Sequence, residues 1–481
     1  MSVDPSADRN DGTLDEQYHD FHQNKPDVAR DAGESAQSAA IQTPPDGGYG
    51  WVIVGASFFM HVFVLGNIYS FGVLFPVYME AFNAPQGSVA WVGSIGGCLM
   101  TALAAFSGIY ADRYGNGIVI FIGGILVSLG FLLASFSTSL WQLYLTQGVI
   151  AGVGYSLTFI AGVSVIGQWF TTRRGLAVGI AVAGSGLGQF AVSLCTGALL
   201  DKFKWRATLR YLALIDILGL TLCSVFVRRF APLISRSSTE SGWVYFQDRN
   251  FRLLYVGALL TSMGLFMPYT HLPKYAQLHG VSTQSSIVIL SIMGIASSLG
   301  RILVGFAADI FGKISMLQVC VIVGGVSTFC WLLCTTFITI VIYGFVFGFF
   351  AGGFISLVPT VCAELYGVRK LGTVIGVLYT GTAVGNLLSA PIGGFLFDGT
   401  GNYTASIIVA ASFLLLSGLM NVFVDKDNKS VASYVDVDGN VVQQSSLVIS
   451  GVVEEDFYSG PTSRLDSAGD ENLKDPEDAL L

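Results

Sequence analysis

A chain can cross a bilayer as a helix only where about 20 consecutive residues are mostly apolar. This chain has twelve such runs, near 51–79, 88–110, 117–137, 141–166, 175–199, 209–227, 253–272, 285–308, 314–334, 337–361, 371–396 and 403–424. Backbone polar groups have no water to bond in lipid, so spans of this length are helices. The expected fold class is an all-α membrane protein with twelve transmembrane helices. Charge is pushed to the ends. Of the 481 residues 12% are charged, and the two tails, 1–46 and 425–481, hold most of the acidic ones. Low apolar content and like charge predict that both tails are disordered. Residues 1–46 contain no apolar run, so no cleavable signal peptide is expected and the first span must direct insertion.

The runs fall into two sets of six related by a repeat. Gly108–Gly115 reads GIYADRYG and Gly305–Gly312 reads GFAADIFG, an offset of 197 residues. The same offset pairs Gly179 with Gly376, Gly184 with Gly381, Gly188 with Gly385, Gly197 with Gly394 and Asp201 with Asp398. Arg173 pairs with the like-charged Lys370. An unbroken offset of this kind marks two pseudo-symmetric halves. The expected organisation is an N-terminal half over 47–228, a linker over 229–250 and a C-terminal half over 251–424.

Basic residues in the short loops set orientation. With both tails inside, eleven fall in cytoplasmic loops and five in outer loops. Four of those five, Lys202, Lys204, Arg206 and Arg210, crowd the loop after span 5 and run against the trend. Both termini are expected in the cytoplasm, with the plasma membrane favoured over an internal one.

Four stretches carry a resemblance. Gly108-x-x-x-Asp112-Arg113-x-Gly115, repeated from Gly305 with Asp309 kept and Ile310 in place of the Arg, resembles the loop signature of the major facilitator superfamily. Pro45-Asp46-Gly47-Gly48-Tyr49-Gly50-Trp51 and Trp169 to Gly184 (WFTTRRGLAVGIAVAG) look like the two signatures of its monocarboxylate porter family. Glu364 to Tyr403 is similar to that family's helix 10–12 region. The resemblance covers about 47–424. It implies the major facilitator fold, two six-helix domains around a central cavity, and alternating access. It also implies that the repeated loops latch the inner face.

On physical grounds the latch candidates read as follows. Gly108 and Gly305 permit close helix contact. Asp112 can sit at a helix N-terminus, where the dipole favours an anion. Arg113, Arg173 and Arg174 are candidates for an inner ion network with Asp112, Asp309 or Glu364. The alternative is that the arginines only supply positive-inside charge. Trp51 reads as an interfacial anchor.

The residues that break the repeat point to the site. Arg301 lies eight residues before Asp309, roughly 12 Å up its helix, and its repeat mate is Ala104. A cation at that depth marks a solute or ion path, and an Arg suits a carboxylate bidentately; snorkelling to the interface is the bland alternative. In the resembled family an Arg at this place contacts an anionic substrate. That family's proton-coupled members also carry an Asp one turn earlier and a Lys in helix 1. Here those places hold Ser297 and Asn67-Ile68-Tyr69. Their absence favours a larger or less simply charged solute. Asp216 and His61 are the remaining candidates for proton coupling. Asn67, Tyr69, Tyr155, Phe354 and Asn386 are candidates to line the cavity with Arg301.

No phosphate-binding Gly-rich loop and no metal-ligand cluster is present, so neither an enzyme, a cofactor nor a metal is expected. The expected function is secondary active transport of a small organic solute, a monocarboxylate or other organic anion, by symport. The expected partners are that solute, protons and the lipid bilayer, with no nucleic acid. Export of a secondary metabolite, a riboflavin-type carrier and a transporter-like membrane sensor are the alternatives.

Overall fold

The computed structural model describes residues 46–170, 173–228, 230, 242–367 and 371–425, together with a short strand pair, Tyr434–Val435 with Val441–Val442. Nearly all of both acidic tails, most of the linker, and Arg369 and Lys370 lie outside the described residues. The strand pair belongs to a separate unit, Val431–Leu481.

Among the described residues, eleven helices are long and apolar enough to span a bilayer, and a bent pair makes the twelfth. In chain order they are α1 (Gly50–Phe82), α2 (Gln86–Ala102 with Ala104–Tyr114), α3 (Asn116–Ala134), α4 (Leu140–Trp169), α5 (Arg174–Lys202) and α6 (Trp205–Phe226). Then follow α7 (Arg249–Leu278), α8 (Thr283–Phe311), α9 (Lys313–Leu333), α10 (Phe337–Tyr366), α11 (Leu371–Thr400) and α12 (Thr404–Val422). The expected twelve spans are all present. Because the helices alternate in direction, one end of the bundle holds Asp46 and Asp425 and is called here the terminal side. The other is the distal side.

Two helices break beside polar side chains. In α1 the helix interrupts at Ser70, whose hydroxyl turns to the Gln189 carbonyl at 3.3 Å and to Ser193 at 2.8 Å. In α2 the two pieces meet at 54° around Leu103. Two residues earlier Thr101 Oγ1 donates back to the carbonyls of Gly97 (3.3 Å) and Cys98 (3.1 Å). Asn386 Nδ2 also reaches the Gly97 carbonyl, at 3.4 Å. Such competition for main-chain acceptors bends helices. The repeated loops end on Gly115 and Gly312, at φ 97° and 89°. That region favours glycine, and explains why the motif closes with one at both places.

Packing follows the repeat. α1 lies on α5 as α7 lies on α11; α3 lies on α6 as α9 lies on α12; α2 lies on α4 as α8 lies on α10. Between the halves, α2 meets α11, α5 meets α8 and α1 meets α7. Glycines set these distances, because in lipid close van der Waals contact drives helix association. Gly186 and Gly294 face each other across α5 and α8, each a would-be Cβ 2.6–2.7 Å from the other's carbonyl. Gly394 sits against the Gly87 backbone, and Gly72 against the Tyr269 carbonyl. Within the second half, Gly300, Gly348 and Gly352 weld α8 to α10, where a Cβ would overlap the carbonyls of Phe349, Met293 and Ser297.

The crowded loop after α5 has a local explanation. Arg206 Nη2 donates to the Ser137 carbonyl at 2.9 Å and Arg210 Nε to Ser135 Oγ at 3.1 Å, with Arg210 also over the Phe136 ring. Both cations serve the C-terminal end of α3, where helix carbonyls lack partners.

Gly300→Val is expected to destabilise the protein by at least about 1–3 kcal/mol through overpacking, read as a lower melting temperature in detergent. Gly305→Ala, five residues on, has nothing within 4 Å of the new Cβ and should melt like the wild type.

Candidate functional site

Arg301 sits where α8 crosses α5 and is 5% exposed. Its Nη1 donates to the Val182 carbonyl at 3.3 Å, and one turn away Ser298 Oγ donates to the Ala183 carbonyl at 3.0 Å. Arg301 Nε and Nη2 have no hydrogen-bond partner among the described residues. These two N–H groups point the same way along one edge of the guanidinium, the fork that grips a carboxylate side-on. Leaving charged donors unpaired in a buried site costs several kcal/mol. A carboxylate would match these donors in both charge and shape.

Aromatic and hydroxyl groups from three further helices surround it. His61 and Tyr69 of α1, Tyr269 of α7 and Tyr379 of α11 all lie within the field of the Arg301 charge. The Tyr69 hydroxyl lies beside the guanidinium without meeting hydrogen-bond geometry. Tyr69 and Tyr269 stack at 4.8 Å. The Tyr269 and Ser297 hydroxyls, His61 Nε2 and Asn386 Oδ1 also lack partners among the described residues. His61 Nδ1 is 2.7 Å from the Ser57 carbonyl, so that nitrogen carries a proton and donates. In the neutral ring Nε2 is then an acceptor. A small void between the halves is lined by Ile68, Phe71, Ser94, Phe266, Tyr269 and Asn386.

The other expected lining residues are placed differently. Asn67 turns away from Arg301 and donates its amide to both oxygens of Asp216, at 3.0 and 2.9 Å. Tyr155 lies in the first half, 4% exposed, against Gly96 and within the field of Asp216. Phe354 lines an internal void of the second half with Leu254, Leu317 and Leu378. Thus Tyr69 and His61 lie near Arg301 and Asn386 reaches across the halves to Gly97, while Asn67, Asp216 and Tyr155 form a cluster inside the first.

The gate candidates lie at the terminal side. Asp112 stands in the last turn of α2, not at a helix start, and α3 begins only at Asn116. Arg113 lies over Tyr114 at 5.5 Å. A Cβ on Gly108 would meet only Ile160, at 3.7 Å, and Gly305 has open space. Asp309 is exposed. Glu364 pairs with Lys313 at 3.9 Å within the second half. The Arg174 guanidinium lies over Gly167, the repeat mate of Glu364, where a Cβ would come within 3.1 Å of it. The Arg173 main-chain N–H donates to Asp46 at 3.4 Å.

That last bond belongs to a clasp between two sequence signatures. Asp46 N–H donates to the Trp169 carbonyl (3.2 Å), Tyr49 packs on Trp169 (5.6 Å) and Trp51 on Phe170 (5.0 Å). Gly50 leaves room for the Phe170 ring. Trp51 is held by protein contact rather than standing alone as an interfacial anchor. The second half builds a related clasp: Asp248 caps α7 and accepts from Tyr366 at 2.6 Å, and Tyr366 is the repeat mate of Trp169.

Sequence alone does not single out the distal seal. Asp398, at the end of α11, accepts from the first N–H groups of α2, Gln86 (3.0 Å) and Gly87 (2.8 Å). This is an anion on a helix N-terminus across the two halves. Tyr403 donates to the Gln86 side chain, and burial holds its phenol well above the ordinary range, so it stays a donor. His271 bridges Tyr403 and the Ala390 carbonyl. The only sequence signal was the repeat pairing of Asp398 with Asp201.

Comparison with known proteins accords with this geometry. The family model described as Major Facilitator Superfamily matches residues 57–337 and 288–436. Monocarboxylate transporter 13 of Rattus norvegicus is 34% identical over 380 residues, covering 77% of this chain and 88% of its own. Monocarboxylate transporter 12 of Mus musculus is 29% identical, with coverages of 80% and 87%. Monocarboxylate transporter 11 of Homo sapiens is 30% identical, with coverages of 80% and 84%. Among solved structures, a bacterial homolog of the human lysosomal transporter Spinster, inward-facing and occupied, aligns with a TM-score of 0.62 at 14% identity. It covers 78% of this chain and 97% of that one, a likeness of fold alone. The fold and these matches define a multi-pass integral membrane protein, a solute transporter of the major facilitator class. Within that class the chain belongs to the monocarboxylate porter family.

Asp398→Asn keeps the shape but weakens the charge on the α2 N-terminus. It is expected to open the distal side more often. In a cysteine-depleted background, a Ser94→Cys probe should react several-fold faster with an impermeant thiol reagent added from that side.

Proposed function

We propose that this protein carries a small organic anion across the membrane by alternating access, with Arg301 as the anion seat. The observation that carries the reading is the guanidinium itself. One edge is tethered to α5, and the other presents two parallel donors with no hydrogen-bond partner among the described residues. A carboxylate supplies two acceptors at that spacing and the missing negative charge. Tyr69, Tyr269 and Tyr379 offer faces for an aromatic or extended body, and the unpaired Tyr269, Ser297 and His61 atoms suit a solute with polar substituents. The relatives' name, monocarboxylate transporter, supports the same class.

The motion is proposed from unused glycines. Gly108, Gly175, Gly179, Gly305, Gly372 and Gly376 all lie at the terminal side, on α2, α5, α8 and α11. At five of them a Cβ would meet nothing within 4 Å, and at Gly108 only an ordinary contact. Their counterparts at the distal side are tightly packed. The same helix pairs, α2 with α11 and α5 with α8, close the terminal side in the other state. In that state Gly108, Asp112, Arg113, Gly305 and Asp309 act as the latch, with Arg173, Arg174 and Glu364 supplying the charges around it. The halves 47–228 and 251–424 move as bodies about the solute, the terminal side faces the cytoplasm, and the plasma membrane is the site of action.

The test is uptake by purified protein in proteoliposomes, over labelled monocarboxylates, aromatic amino acids and riboflavin. Arg301→Ala should lower uptake of the carried anion about 100-fold, from some 2–3 kcal/mol of lost charged hydrogen bonding. Arg301→Lys keeps the charge but loses the fork, and should recover only part. Undiminished uptake by a normally inserted Arg301→Ala protein would remove the assignment.

A further inference from the structure

Among the described residues two formally charged side chains are buried: Arg301, and Asp216 at 3% exposure. The transport reading gives Arg301 a partner and leaves Asp216 without one. Asp216 lies in the middle of α6 (Trp205–Phe226). Its two oxygens share one donor, the Asn67 amide, at 3.0 and 2.9 Å. No Lys, Arg or His nitrogen comes within 4.0 Å of it among the described residues.

Its surroundings offer no compensating cation. From α4 it is faced by Tyr155 and from α5 by Cys195. α3, which packs along α6, has no titratable side chain over Asn116–Ala134. His61 of α1 is committed to Ser57 and packs its ring on Phe159. Arg210, on α6 itself, is bound at the end of α3. A bare carboxylate held by one amide at this depth is several kcal/mol short of its hydration. A proton removes that deficit.

The site is also wired to Arg301. Gly219, one turn beyond Asp216, makes room for the Phe63 ring of α1, which brings Asn67 onto Asp216. Two residues further along α1, Tyr69 lies beside Arg301. One helix thus touches the anion seat and the carboxyl group.

We propose that Asp216 binds the coupling proton of this carrier, taking the place of the proton-relay pair that the chain lacks. The proposal rests on the transport reading above. Asp216 takes one proton from water on the side where the solute enters, and the Asn67 amide stays bonded to the neutral acid. It returns that proton to water on the other side after the halves rock. One anion on Arg301 and one proton on Asp216 move together, so no net charge crosses.

Two measurements test this. Infrared spectra of the purified protein at pH 7 should contain the C=O band of a protonated carboxylic acid, absent from Asp216→Asn and restored in Asp216→Glu. A band that is missing from the wild type, or unchanged in Asp216→Asn, overturns the proposal whatever the solute. Transport then uses labelled pyruvate, or whichever anion of the panel shows Arg301-dependent uptake. With a one-unit inward pH gradient the wild type should accumulate it about tenfold, the ratio one coupled proton per unit sets. Asp216→Asn should exchange the anion at near wild-type rate but accumulate none. Accumulation undiminished in Asp216→Asn, or a wild type indifferent to the gradient, overturns it while leaving Arg301 as the seat. A large rise in KM for exchange in Asp216→Asn also overturns it, because Asp216 would then be holding a cationic part of the solute. Should no anion show Arg301-dependent uptake, the transport reading fails and the infrared band alone decides whether Asp216 holds a proton.

Discussion

A cation held out of water without a counter-charge is the constraint on which the rest of this structure depends. Arg301 reaches the middle of the bundle because α8 can lie flush against both neighbours. Gly300 and the facing Gly348 and Gly352 let the α8 and α10 backbones touch, and Gly294 with Gly186 does the same toward α5. The Val182 carbonyl steadies one edge of the guanidinium. Tyrosines and hydroxyls surround the other edge, and among the described residues no carboxylate lies within salt-bridge distance of it. Such a site is stable only as a compromise, which in the proposed reading an incoming oxyanion resolves.

The packing is uneven along the bundle axis. At the distal side Asp398, Gln86, Tyr403 and His271 join the halves through directed hydrogen bonds, and three glycine contacts bring the backbones together. At the terminal side the repeat supplies the same residue type at corresponding positions, yet those glycines have space around them. Two aromatic clasps, Asp46–Trp169 and Asp248–Tyr366, hold the ends of helices together within each half.

Much of this is legible in the sequence because lipid simplifies the physics. Span length and the 197-residue glycine offset give the twelve helices and their pairing, and depth alone marks Arg301. What sequence does not give is direction. Asn67 and Tyr69 are two residues apart on α1, so their side chains leave opposite faces, one to Asp216 and one toward Arg301. Phe354, plausible as a cavity wall by composition, lies inside the second half. Asp112 stands at the end of its helix rather than at the start of another. The distal seal joins residues more than 300 positions apart, Gln86 and Asp398, and nothing local at either one announces the other.

The most direct test of the account is the position of the solute itself. A cryo-electron-microscopy map of the protein with its carried anion bound should place the oxyanion on the Nε and Nη2 edge of Arg301, opposite the Val182 carbonyl, with Tyr69 and Tyr269 against its body. An ordered solute elsewhere, with that edge of Arg301 empty or satisfied by a protein carboxylate, would contradict it.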